Sequence, residues 1–102
     1  MGEFIKVAGT KDLAPGKAMQ VVVNGKEIAL FNLNGEFCAL ANECTHAGGP
    51  LCEGFIDAEE VTCPWHGAMF NIRSGEVLGP PAGEAVERYN VRLNGNDVEV
   101  EV

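Results

Sequence analysis

Two short stretches of the 102-residue chain, CTHAG at 44–48 and CPWHG at 63–67, hold both of its histidines and two of its four cysteines. Written as ligands they read Cys44-x-His46, 16 intervening residues, then Cys63-x-x-His66. Thiolate and imidazole together suit zinc, copper or iron–sulfur centres, and a cysteine beside a histidine also suits nucleophilic catalysis. Three chemistries are therefore open to these residues.

A structural zinc site usually gathers two cysteines on one loop and two histidines on another, whereas each loop here brings one of each. A Cys63–His66 dyad needs a third orienting group and a substrate pocket, and it leaves the second pairing unexplained. A [2Fe–2S] centre in which two cysteines hold one iron and two histidines the other has the matching asymmetry. Each loop would then touch both irons, and neither could leave without breaking both ends. A zinc domain acting as an interaction module stays open until iron is measured.

The elements that must position these residues are strands. Asn24-Gly25, Asn34-Gly35 and Asn94-Gly95 each sit between alternating or β-branched residues, and Asn-Gly supplies the positive φ of a two-residue hairpin. The closing VEVEV alternates strictly, as a strand with one buried face does. APGKAM around Pro15 reads as a turn, and GEAVERYN fits a short helix or a strand equally well. Strand-like sequence flanks a middle section, about residues 42–72, that holds both Cys–His pairs, the Gly48-Gly49-Pro50 bend and Pro64. The expected fold is all-β: a small antiparallel sandwich or barrel with a metal-carrying subdomain inserted into it.

Composition sets the limits. A chain of this length supports one small core, and 46% apolar residues are enough to fold it. The formal charge is −8 with only seven Lys and Arg, which excludes the basic stripe that nucleic acid needs. No apolar run approaches membrane-crossing length, and MGEFIKVAG lacks the order of a secretory signal. A soluble, cytoplasmic protein is expected, and Cys/His clusters in that reducing setting point to metal.

The segments C-T-H-A-G-G-P-L and C-P-W-H-G-A-M-F resemble the two cluster-binding boxes of Rieske proteins, and the likeness extends over nearly the whole chain. The resemblance implies a single Rieske domain over residues 1–102, with its cluster-binding subdomain at about 42–72. It implies one [2Fe–2S] cluster, with Cys44 and Cys63 on the inner iron and His46 and His66 on the outer. It also implies a proline-bearing loop over the cluster, for which Gly79-Pro80-Pro81-Ala82 is the matching segment.

High-potential members of that family join the boxes by a disulfide whose positions are here Gly49 and Trp65, so that bridge is absent. They also place a serine and a tyrosine hydroxyl near the cluster, where this chain has Ala68 and Phe70. Without those donors the potential is expected near the low end of the Rieske range, roughly −150 mV. What the resemblance implies is a ferredoxin that catalyses nothing itself. It would be a monomer, taking one electron from a flavoprotein reductase and passing it, by brief docking, to a terminal oxygenase that hydroxylates aromatic rings. The alternative is the small subunit of an assimilatory nitrite reductase, which has a similar length.

Cys38 and Cys52 lie outside both boxes and are expected to be small apolar fillers rather than ligands. Trp65, between two expected ligands, could gate electron transfer but is expected rather to pack and shield the cluster. Asp57, Glu59 and Glu60 form either an acidic surround that steers a partner or a solvated turn.

Overall fold

The computed structural model describes residues 2–43, 49–65, 67–79 and 83–102. In these residues run β1 (Phe4–Gly9), β2 (Ala18–Val23), β3 (Lys26–Leu33), β4 (Glu36–Ala41), β5 (Phe55–Asp57) and β6 (Glu60–Thr62). They continue as β7 (Met69–Asn71), β8 (Val77–Gly79), β9 (Arg88–Tyr89), β10 (Val91–Asn94) and β11 (Asp97–Glu101). Single 3-10 turns at Thr10–Asp12 and Leu51–Glu53 are the helical elements among the described residues. GEAVERYN resolves as the short strand β9, paired to Ala39 and Leu40 of β4.

The strands form three antiparallel sheets, ordered β1-β11-β10, β2-β3-β4-β9 and β5-β6-β7-β8. Although β4 and β9 are neighbours, the whole third sheet lies between them in the chain. It is an insertion between two adjacent strands of the second sheet, and it carries the second Cys–His segment between β6 and β7. The all-β antiparallel architecture expected from the hairpin pattern is the one observed.

The second sheet is the middle layer, because β3 is buried on both faces. Ala29, Phe31 and Leu33, with Leu40 of β4, pack against Leu51, Val61, Ala68, Phe70 and Ile72 on the side of the inserted sheet. Ile28 and Leu30, with Ala39, pack against Val98 and Val100 on the other. Successive side chains of a strand point to opposite faces, so a strand covered twice reads as a continuous apolar run. IALF in β3 is that run, whereas β11, covered once, keeps its alternation. Phe31 and Phe70 are fully buried, each worth about 1.5–3 kcal/mol relative to exposure.

Two of the three Asn-Gly turns form as the sequence predicts, with φ of 51° and 79° at Asn24 and Gly25 and 56° and 102° at Asn34 and Gly35. The third is displaced. Asn94 pairs with Asp97, so the turn residues are Gly95 and Asn96, with positive φ at Gly95 alone. That pattern matches a turn whose first central residue is glycine, and it lets Asn94 remain in the strand.

Candidate metal centre

Of the four residues marked as ligands by sequence, Cys63 is described, while Cys44, His46 and His66 lie outside the described residues. Ala47, Gly48 and the Pro80-Pro81-Ala82 part of the expected covering loop also lie outside them. What the structure defines is the frame on which both ligand-bearing loops stand.

The first loop is closed at its base. Glu43 bridges Pro50, the backbone N–H of Leu51 donates to the carbonyl of Asn42 at 2.8 Å, and that of Cys52 donates to Asn42 Oδ1 at 2.9 Å. Asn42 is itself 2% exposed, and its own N–H donates to the carbonyl of Glu27 at 3.0 Å. One buried side chain thus ties the residue two before Cys44 to the turn that follows the loop. Sequence reasoning passed over Asn42; a lone asparagine ending an apolar strand gives little sign of a clamp whose partner is ten residues on.

The second loop closes on Cys63. Its backbone N–H donates to the carbonyl of Ala68 at 2.7 Å, and its carbonyl accepts from the N–H of Gly67 at 3.2 Å. Gly67 has φ of 79°, a left-handed conformation that glycine enters without steric cost. Cys63, Gly67 and Ala68 thus close on one another through the backbone.

The Cys63 side chain is buried and packs in the apolar cluster that includes Ala68 and Phe70. Neither neighbour carries a donor. Gly49, the last residue before Pro50, comes directly against it: a Cβ built on Gly49 would stand 2.6 Å from Cys63 Sγ and 3.1 Å from Cγ of Trp65. A Cβ does not approach a sulfur at 2.6 Å unless something shifts, so glycine at 49 gives the Cys63 sulfur its space. Gly49 and Trp65 thus lie side by side, and neither can form the bridge of the high-potential proteins.

A free, buried thiol at the base of a tight turn, beside a glycine with no side chain to intrude, fits the cysteine end of a [2Fe–2S] site. A sulfur-rich centre held there would be walled by apolar groups on the protein side. Cys38 and Cys52 are free thiols that pack against the same core from its margin. Burial pushes both thiols up from their ordinary pKa, with Glu36 adding to the effect at Cys38; at Cys52 a hydrogen bond from Asn42 partly opposes it.

The acidic residues between the boxes prove to be a turn. Asp57 pairs with Glu60 across the β5–β6 hairpin, at the end of β6 remote from Cys63 and about 10 Å from it along an extended strand. Glu59 accepts from Arg73 Nε at 2.9 Å, and Arg73 also pairs with Glu36 of β4. Arg73, between β7 and β8, thereby ties the inserted sheet to the middle one and holds Glu59 in an ion pair.

Comparison with known proteins agrees with this frame. The family model described as the Rieske [2Fe-2S] domain matches residues 3–90. The biphenyl dioxygenase ferredoxin subunit of Pseudomonas sp. (strain KKS102) is 37% identical over 99 residues, covering 96% of this chain and 91% of the relative. Among solved structures, the ferredoxin of carbazole 1,9a-dioxygenase from Nocardioides aromaticivorans IC177 superposes with a TM-score of 0.91 at 30% identity, covering 95% of each chain. A chain in a complex of reduced oxygenase and oxidized ferredoxin in carbazole 1,9a-dioxygenase gives 0.91 at 28% identity, covering 96% of this chain and 92% of that one.

Proposed function

We propose that this chain, which belongs to the Rieske [2Fe–2S] domain family, is a ferredoxin that carries single electrons to the terminal oxygenase of a dioxygenase system. It is a carrier rather than a catalyst. The observation that bears most weight is the buried Cys63 thiol against Gly49, in a loop closed onto Ala68. That arrangement suits a permanently held redox group better than a substrate, which would need an open approach.

In this reading Cys44 and Cys63 would hold one iron, and His46 and His66 the other. When bound, the [2Fe–2S] cluster supplies reversible one-electron chemistry. The chain's own residues do the rest. Asn42 and the Glu43–Pro50 bridge fix the first loop, the Cys63–Ala68 bond fixes the second, and Leu51, Val61 and Phe70 keep water from the cysteine side. The electron source is taken to be a flavoprotein reductase, the working form a monomer and the setting the cytoplasm. Among the described residues no helix is long and apolar enough to cross a membrane. The whole chain, 1–102, is assigned as one domain, with its cluster-binding part at about 42–72.

The relatives reported above carry the names of oxygenase ferredoxins, the first of the two roles that the sequence leaves open. A direct test is stopped-flow mixing of the chemically reduced protein with a biphenyl dioxygenase terminal oxygenase under anaerobic conditions. Reoxidation should follow oxygenase concentration, saturably. Reoxidation no faster than with buffer or an unrelated protein would count against the role.

A further inference from the structure

We propose that the indole of Trp65 is the latch between the two ligand-bearing loops, holding them together without a covalent bond and closing the Cys63 sulfur off from solvent. The inference rests on the carrier reading above and names a positioning residue for it.

Three groups from two loops meet at one point. A Cβ on Gly49 would lie 2.6 Å from Cys63 Sγ, 3.1 Å from Trp65 Cγ and 3.2 Å from Trp65 Cδ2. The first loop contributes the Gly49 backbone, and the second contributes both the thiol and the ring. The side chain of Trp65 is therefore seated on the bare glycine backbone beside the sulfur, although the residue as a whole is 57% exposed. Trp65 packs against neither apolar core, so the Gly49 backbone and the sulfur are what it rests on.

The other described fastenings act within each loop. Asn42 and the Glu43–Pro50 bridge hold the first loop at its base, and Cys63 and Ala68 hold the second. Cys63 is a free thiol, so no disulfide joins the described parts of the two loops. The Gly49–Trp65 contact thus spans the two loops, one residue from the Glu43–Pro50 bridge, and a ring there excludes water from the sulfur edge. Gly49 lies outside the left-handed region, so its glycine is required by the space the ring and sulfur occupy.

Trp65 is the chain's single tryptophan, and its fluorescence reports this contact without a label. The cluster-loaded wild type, Trp65→Ala, Trp65→Phe and Gly49→Ala would be placed in excess iron chelator and followed by visible absorbance. In parallel, wild-type fluorescence and its quenching by acrylamide would be recorded before and after cluster removal. Loss of an aromatic packing contact should speed bleaching of Trp65→Ala about ten-fold. Trp65→Phe should stay within about threefold of wild type, and Gly49→Ala, whose methyl meets the Cys63 sulfur first and the ring second, should bleach at least as fast as Trp65→Ala. Cluster removal should red-shift the emission and raise quenching.

A Trp65→Ala bleaching rate within twofold of wild type, or emission that ignores the cluster, would overturn the latch. So would a Trp65→Phe rate as fast as that of Trp65→Ala. Thermal midpoints of the apo variants separate the latch from general stability: equal midpoints support it, and a fall that accounts for the faster bleaching overturns it. A wild type without iron or colour would instead sink the carrier reading itself.

Discussion

Asn42 Oδ1 accepts the backbone N–H of Cys52 at 2.9 Å, so one buried side chain ties together the chain on either side of the Cys44–His46 segment. Asn42→Ala leaves that N–H without its partner in a part-buried place, at a cost of about 1–3 kcal/mol. Thermal unfolding should show the loss, and cluster content after purification should fall with it. An unchanged midpoint together with full iron content would show that the loop needs no clamp.

The cysteines inside and outside the Cys–His boxes should divide cleanly. Cys63→Ser should give protein without the cluster's visible bands. Cys38→Ala and Cys52→Ala should keep full iron, since both thiols sit at the margin of the core. Burial holds both thiols above their ordinary pKa, so at neutral pH they are protonated and poor nucleophiles. Mass spectrometry after iodoacetamide treatment of the folded, cluster-loaded protein should find them modified slowly, and faster as pH rises. Rapid modification at neutral pH would contradict their placement.

Tyr89 on β9 donates its hydroxyl to Glu87 at 2.7 Å, and burial first, then that carboxylate, pushes its pKa up to about 12. Below the ordinary tyrosine value of about 10, folded and unfolded chains are both protonated and the contribution is fully present. Between about 10 and 12 the unfolded chain releases its proton while the folded one keeps it, so stability falls as pH rises. Melting from pH 9 to 12 should show a steeper decline for wild type than for Tyr89→Phe. Parallel slopes would remove Tyr89 from the account.

Ala68 and Phe70 are both fully buried in the cluster that contains Cys63. Ala68→Ser and Phe70→Tyr each add a hydroxyl there, and a donor to a cluster sulfur favours the reduced state. Each variant should therefore have a midpoint more positive than wild type, the pair more so, as measured by reductive titration. A midpoint that does not move, in a variant that keeps its cluster, would mean these positions do not face the sulfurs.

How far the sequence could be read depended on the range of the interaction. Asn24-Gly25 and Asn34-Gly35 act within four residues, and both turns formed as local chemistry required. The third turn moved to Gly95–Asn96 because only glycine there needs a left-handed backbone, a choice the dipeptide alone does not reveal. The need for glycine at 49 becomes visible only when Cys63 Sγ and Trp65 are placed against it. Likewise the sequence left Glu59 open as part of an acidic surround or of a solvated turn, and its pairing with Arg73, 14 residues on, which also meets Glu36, shows only in the fold. The Cys–His pairs stand out in the sequence because metal-binding chemistry is written in the side-chain types themselves. The clamp at Asn42 was not, because an asparagine is defined by its partners.

The most direct test of the central claim is an anaerobic reductive titration of the purified protein, followed by visible absorbance on samples of known iron and sulfide content. The account predicts two irons and two acid-labile sulfides per chain and a single one-electron step with a midpoint near the low end of the Rieske range, roughly −150 mV. A colourless protein carrying zinc, or a coloured one with a clearly positive midpoint, would contradict it.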